Sequence, residues 1–144
     1  MNNAKTILKI YQRMFDALGP QQWWPGETPF EVVIGAILTQ NTNWSNVEKA
    51  IKNLKTAGML SPGGIQELSL PELAQLIRPS GFFNVKARRV KTFINWLFSR
   101  YEGNLSSMFA QDLQTLRDEL LSVKGIGPET ADSILLYAGN LPTF

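Results

Sequence analysis

The sequence predicts an all-α protein, and three observations carry that prediction. Apolar residues recur at three- and four-residue spacing along most of the chain, and no stretch alternates apolar and polar residues with the period of a strand. Ser or Thr followed three positions later by Glu, twice with proline in the first turn, marks helix starts between the apolar runs. An apolar fraction of 44% in 144 residues suits one modest domain with a real core.

The elements follow in order. Ile7, Ile10, Tyr11, Met14, Phe15 and Leu18 sit at helical spacing, and Gly19-Pro20 stops that helix. Thr28-Pro29-Phe30-Glu31 is a capping box that launches Phe30 to Thr39, apolar almost all round and so the central buried helix. Ser45-Asn46-Val47-Glu48 reads as a second box, with Val47, Ala50, Ile51 and Leu54 inward and Gly58 at the end. A third box, Ser69-Leu70-Pro71-Glu72, starts a short helix through Ile77, after which Pro79-Ser80-Gly81 breaks the chain. The longest helix runs from about Asn84 to Tyr101 and buries Val90, Phe93, Ile94, Leu97 and Phe98. Gly103-Asn104 separates it from a short turn and from a helix over Leu113 to Ser122, and a last helix spans Pro128 to about Ala138. No internal repeat or low-complexity segment appears.

Composition excludes several chemistries. With no Cys and no His, the chain forms no disulfide, no thiolate cluster and no imidazole zinc site, and supports neither a Ser-His-Asp nor a Cys-His mechanism. Met1-Asn2-Asn3-Ala4-Lys5 lacks the apolar core of a signal peptide and no apolar run is long enough to span a bilayer, so the expected location is the cytoplasm, or the nucleoid in a bacterium. Net charge is only +2 but unevenly placed: from Leu73 to Tyr101 there is no acid, while Arg78, Lys86, Arg88, Arg89, Lys91 and Arg100 all fall inside. Such a block suits a polyanion partner; a solvated helix face is the alternative.

The most informative stretch is Val123 to Ala131, Val-Lys-Gly-Ile-Gly-Pro-Glu-Thr-Ala. Its glycines permit positive φ and close approach by another backbone, and Pro128 suits the first turn of a helix. Leu120, Leu121 and Val123 before the turn would pack against Ala131, Ile134 and Leu135 after it. This looks like a helix–hairpin–helix, whose free amides near Gly125 and Gly127, beside a positive helix end, hold a phosphate without reading sequence. Lys124 adds charge at the edge, with Ile126 and Thr130 completing the motif. Carbonyls on the other side of such a turn can ligate a monovalent cation. The dinucleotide reading fails, because a helix rather than a strand precedes the glycines and the third glycine is absent.

Two further constellations stand out. Leu38-Thr39-Gln40-Asn41-Thr42-Asn43-Trp44 ends a buried helix in polar amide and hydroxyl residues. It is either a capped helix end or a probe loop, in which Gln40 and Asn41 fill the space left when a base is extruded from a duplex. Gln22-Trp23-Trp24-Pro25, with Trp44 as a partner, reads either as core plugs or as the walls of a pocket that sandwiches a flat, electron-poor ring.

Together these residues resemble the endonuclease III superfamily of base-excision DNA glycosylases, helix–hairpin–helix proteins. The matches are Val123 to Ala131, Leu38-Thr39-Gln40-Asn41-Thr42, and Gly81-Phe82-Phe83-Asn84-Val85-Lys86-Ala87, in the family order and covering the chain from about Pro29. Trp23-Trp24-Pro25, Gln40-Asn41-Thr42 and Trp44 look most like the branch that removes 3-methyladenine. The resemblance implies a glycosylase fold with a six-helix core domain over residues 25–138, the hairpin at about 112–138. Residues 1–24 then belong to an incomplete second helical lobe, and residues 139–144 begin a further segment. It also implies double-stranded DNA with a damaged base as partner. Gln40, Asn41, Lys86, Arg88, Lys124, Gly125, Ile126, Gly127 and Thr130 are the candidate DNA contacts, and Trp23, Trp24, Pro25 and Trp44 the candidate base pocket.

Two departures shape the expectation. Members that cut the strand carry a Schiff-base lysine at the place matching Glu129, and a carboxylate cannot form that adduct, so the lyase step should be missing. The family's catalytic aspartate would fall beyond Phe144, and Asp132 is no substitute by position, so this chain is expected to be a piece that binds DNA without excising a base. The four-cysteine iron–sulfur loop of many relatives would also fall beyond Phe144 and is left open; no cofactor is expected within the chain. The apolar stripe of the first helix would be open to a neighbouring copy. Two alternatives remain: a non-catalytic DNA-binding module, and a helical interaction domain anchored by its tryptophans.

Overall fold

The computed structural model describes residues 3–19 and 26–142, and among these the chain is helical, without strands. Helix α1 covers Asn3–Leu18, α2 Pro29–Leu38, α3 Trp44–Thr56, α4 Pro62–Glu67 and α5 Leu70–Leu76. A 3-10 turn at Arg78–Ser80 leads into α6, Phe83–Tyr101; α7 (Leu105–Phe109), α8 (Leu113–Ser122) and α9 (Pro128–Ser133) follow, and α9 continues as a π turn through Ile134–Ala138.

Helix α2 is the hub. Its residues from Val32 to Leu38 are all buried, and it packs on α3, α6, α9 and the π turn. A helix apolar all round has to be surrounded, which fixes the layering. Its start is the anticipated box: the Thr28 hydroxyl accepts the Glu31 amide at 3.1 Å, and the Glu31 carboxylate reaches back to the Glu27 amide at 2.9 Å. Ser69 caps α5 as the sequence suggests, through the Glu72 amide at 3.2 Å.

The second box is displaced. Asn43, not Ser45, caps α3, its side chain accepting the Asn46 amide at 3.0 Å, while Glu48 takes the Trp44 indole N–H at 3.0 Å. Helix α4 was not anticipated: Ser61 caps it, accepting the Gly64 amide at 3.0 Å, so Pro62-Gly63-Gly64 begins a helix rather than a loop. The turn after Gly103-Asn104 is the short helix α7, so the core carries α4 and α7 in addition to the helices expected. Phe98, expected in the core, is only partly buried.

Helix α1 stands apart from this core. None of its residues is buried, and Ile7, Leu8, Ile10, Tyr11, Met14, Phe15 and Leu18 are exposed. No helix of the described residues is long and apolar enough to cross a membrane.

Candidate nucleic-acid interface

The hairpin is held from inside by its apolar faces and from outside by an ion pair. Leu116, Leu120 and Val123 meet Ala131, Ile134 and Leu135 in the core, and the Arg117 guanidinium on α8 grips both oxygens of Asp132 on α9, at 2.8 and 3.3 Å. Asp132 is thus engaged in holding the two helices together. Asp112 caps α8 through the Thr115 amide at 3.1 Å.

Between the helices the glycines do different work from that expected. Gly125 alone takes a positive φ, +95°, and a methyl group there would sit 2.6 Å from Arg89 Cγ. Gly127 has φ −90° and ψ −179°, extended backbone that any residue adopts, and a methyl group there would meet nothing within 4 Å. What Gly127 leaves is an open approach to the first turn of α9, which has Pro128 in that turn and no side-chain cap. Ile126 does not face outward: its side chain is buried and its amide closes the turn on the Val123 carbonyl at 3.1 Å. At the surface of the turn stand Gly127 and Lys124, both exposed, with Gly125 half-buried between them. As for a cation, the Val123 carbonyl accepts Ile126 N–H and the Gly125 carbonyl accepts Gln40 Nε2 at 3.3 Å, so both already have donors.

Gln40 bridges the end of α2 to this turn. Its Nε2 donates to Thr130 Oγ1 at 3.0 Å and to the Gly125 carbonyl, while its Oε1 accepts from the Arg89 guanidinium on α6. Thr130 is buried, so its hydroxyl serves this bridge and does not face a partner. Asn41 follows, exposed, with φ +56°. Thr39, Gln40, Asn41, Arg89, Gly125 and Glu129 line one cleft of about 670 Å³. The loop and the hairpin, distant in sequence, share a single cleft.

The basic block is mostly drawn into the fold. Lys86 is 1% exposed and donates to the Ser80 carbonyl at 2.7 Å; burial pulls its pKa below the usual lysine value, with the nearby Arg89 charge adding to the effect. A side chain so enclosed does not reach a phosphate, and Lys86 leaves the set of candidate contacts. Lys91 caps the end of α4 through the Ile65 and Gln66 carbonyls, both at 2.8 Å. Arg100 pairs with Glu119 on α8, whose other oxygen accepts the Tyr101 hydroxyl. Arg88 remains exposed, as does Arg78, whose guanidinium lies 5.6 Å from the centre of the Phe83 ring.

Trp44 lies elsewhere. It is half-buried and lines a second cleft of about 460 Å³ with Gly26, Glu31, Glu48, Ile51 and Lys55. No described residue lines both clefts. Trp23, Trp24 and Pro25 lie outside the described residues.

One residue escaped the sequence reading. Phe82, just before α6, holds a left-handed backbone (φ 43°, ψ 40°) with its ring 67% exposed. A bulky residue in that region is strained, and strain in an exposed aromatic points to use. The available signal was Gly81-Phe82-Phe83, where only one of two adjacent rings can face the core.

The fold and this cleft define a helical protein that presents a helix–hairpin–helix beside a polar loop. Comparison with known proteins gives the family. The chain belongs to the HhH-GPD superfamily of base excision DNA repair proteins, whose model matches residues 34–120, and a helix–hairpin–helix motif matches residues 111–137. It is 50% identical over 145 residues to a Methanocaldococcus jannaschii protein assigned as a DNA repair glycosylase, covering 99% of this chain and 66% of that protein. It superimposes on an H. pylori 3-methyladenine DNA glycosylase bound to 1,N6-ethenoadenine with a TM-score of 0.77 and 33% identity, covering 94% of this chain and 63% of that one. A non-covalent endonuclease III–DNA complex matches with a TM-score of 0.74 and 25% identity, over 99% and 63% of the two chains. The chain thus spans about two thirds of each of these relatives.

Proposed function

We propose that the protein to which these residues belong removes an alkylated base from duplex DNA by hydrolysing its N-glycosidic bond, without cutting the strand. The observation that carries the reading is the shared cleft. Gly125 and Gly127 of the hairpin turn line it where a phosphate would approach the start of α9, Gln40 and Asn41 line it with amide side chains for the gap left by an extruded base, and Glu129 lines it with them. An enzyme acting on a base has to hold the backbone and fill the stack at once, and this cleft joins the groups for both.

Glu129 supports the absence of strand cutting. It is exposed in the first turn of α9, where the resemblance places the Schiff-base lysine of strand-cutting members. The alkylated substrate is supported by the likeness to a 3-methyladenine glycosylase and by the tryptophan-rich segment before Gly26, with Trp44 lining its own cleft. Phe82 is proposed as a wedge against the duplex, and Arg88, Arg78 and Lys124 as phosphate contacts. Because the chain spans only about two thirds of its relatives, excision is proposed for the whole protein.

Borohydride trapping on a duplex containing a natural abasic site tests the lyase assignment. The unaltered chain should bind the duplex and give no covalent adduct, whereas Glu129→Lys should be trapped. Trapping of the unaltered chain would overturn the assignment.

A further inference from the structure

One stripe of α3 forms a wall of the second cleft. Trp44, Glu48, Ile51, Lys52 and Lys55 follow one another at helical spacing, and Gly26, Glu27 and Glu31 complete the lining. Lys55 pairs with Glu31 at 3.1 Å and with Glu27 at 3.4 Å. Glu48 is used differently. It stands four residues before Lys52, the usual spacing of a helix ion pair, yet it makes no ion pair among the described residues. Its Oε1 instead accepts the Trp44 indole N–H at 3.0 Å. The helix start does not need this carboxylate either, since Asn43 supplies the cap.

From this arrangement we propose that Glu48 is a positioning residue acting through Trp44. It fixes the indole and enriches its π face for a flat ligand ring, a role that rests on the reading of Trp44 as a pocket wall.

The physical case starts with the indole, which has a single donor and no acceptor, so one carboxylate oxygen is enough to hold its N–H edge. Without that bond the ring turns about a broad terminal torsion, and each stacking encounter first has to select one orientation. The bond uses the edge of the ring and leaves stacking to its faces. An exposed Glu48–Lys52 pair would stabilise α3 by the usual small amount and leave the indole untethered. The carboxylate takes the indole instead.

Charge adds a second effect. A hydrogen bond to an ionised acceptor is stronger than a neutral one and polarises its donor. The proton drawn toward Glu48 leaves electron density in the indole π system. A denser face attracts an electron-poor or cationic ring more strongly. Orientation and electron density thus depend on the same contact, and a glutamine in place of Glu48 would keep the first and lose much of the second.

Variants of the 144-residue chain test this by titration against three duplexes. One is intact, one carries the neutral lesion 1,N6-ethenoadenine, and one carries 1-methyladenine, cationic at neutral pH. Glu48→Ala should lose roughly three- to tenfold in lesion-over-intact preference, more on the cationic ring than on the neutral one, with little change in melting. Glu48→Gln should keep the preference for the neutral lesion and lose part of that for the cationic one. In a Trp44→Phe background, which has a ring but no N–H, Glu48→Ala should have no further effect on the neutral lesion. In the unbound chain, the Trp44 indole N–H resonance should be downfield and slow to exchange. It should persist in Glu48→Gln and become solvent-like in Glu48→Ala.

A loss on the neutral lesion that persists for Glu48→Ala in the Trp44→Phe background would show direct contact between Glu48 and the ligand, and would overturn the proposal. So would a solvent-like Trp44 indole in the unaltered chain. Full lesion preference in Glu48→Ala, with a loss in Trp44→Ala, would overturn the role of Glu48 and leave the pocket standing. Full lesion preference in Trp44→Ala, or no lesion preference in the unaltered chain, would overturn the pocket reading and the role of Glu48 with it.

Discussion

Replacing Gly125 by alanine separates the two glycines of the hairpin most cleanly. The new Cβ would lie 2.6 Å from Arg89 Cγ and 3.1 Å from Cδ, on a backbone with φ +95°. A left-handed conformation costs a non-glycine residue about 1–3 kcal/mol. Arg89 must also move, since the methylenes that collide lie in the middle of its side chain and not at its free end. That movement breaks the bond to Gln40, and a hydrogen bond to a charged group contributes about 1.5–3 kcal/mol. Gly125→Ala should therefore lose about 2.5–6 kcal/mol, a fall in melting temperature of roughly 8–18 °C for a domain of this size. Gly127→Ala has φ −90° and nothing within 4 Å of the new methyl, so its stability should stay within about 1 kcal/mol. Urea unfolding of both variants alongside the unaltered chain decides the matter. Equal stability of the two variants would refute the different roles given to these glycines.

Other consequences follow from the buried polar groups. The Tyr101 hydroxyl, with Arg100 beside it, holds the Glu119 carboxyl below its ordinary value of 4.5. A lowered acid pKa contributes stability that is present above the unfolded value and lost as pH falls through the folded one. Tyr101→Phe should cost about 1–2 kcal/mol at neutral pH, measured by urea unfolding, with the difference shrinking below pH 4.5. Lys86 gives the same sign in an alkaline window: because burial depresses its pKa, the fold gains stability as pH rises from that lowered value toward 10.5, where the unfolded chain also loses the proton. Lys86→Met should abolish that alkaline gain in a pH series of melting curves.

Much of this architecture is legible in the residues, for local reasons. The apolar run from Val32 to Leu38 can only be a surrounded helix, Thr28 and Ser69 stand three positions before a Glu, and Gly-Ile-Gly-Pro between two amphipathic stretches is a hairpin on any reading. The α3 cap shifts because Asn43 and Ser45 are both good caps with suitable residues three positions on, and the Trp44 indole draws Glu48 away from the helix start. Helix α4 hides because Pro and paired Gly argue for a break, although Ser61 overrides them. The basic block misleads for a different reason. Lys and Arg side chains are long enough to reach carbonyls on elements distant in sequence, as Lys91 does with the end of α4, and no local pattern announces that. Nor does any pattern show that Gln40 would meet Thr130, ninety positions later. The cleft is a tertiary object, whereas its two halves are sequence motifs.

The central claim, a phosphate grip at the hairpin beside a loop that enters the duplex, is tested most directly by the salt dependence of DNA binding. The 144-residue chain should bind an abasic-analogue duplex with log K falling linearly against log salt, at a slope of about −2 to −4 for a small number of phosphate contacts. Lys124→Ala should reduce the steepness by about one while leaving the preference for the abasic duplex intact. Binding that is insensitive to salt, or a slope that Lys124→Ala leaves unchanged, would contradict the account.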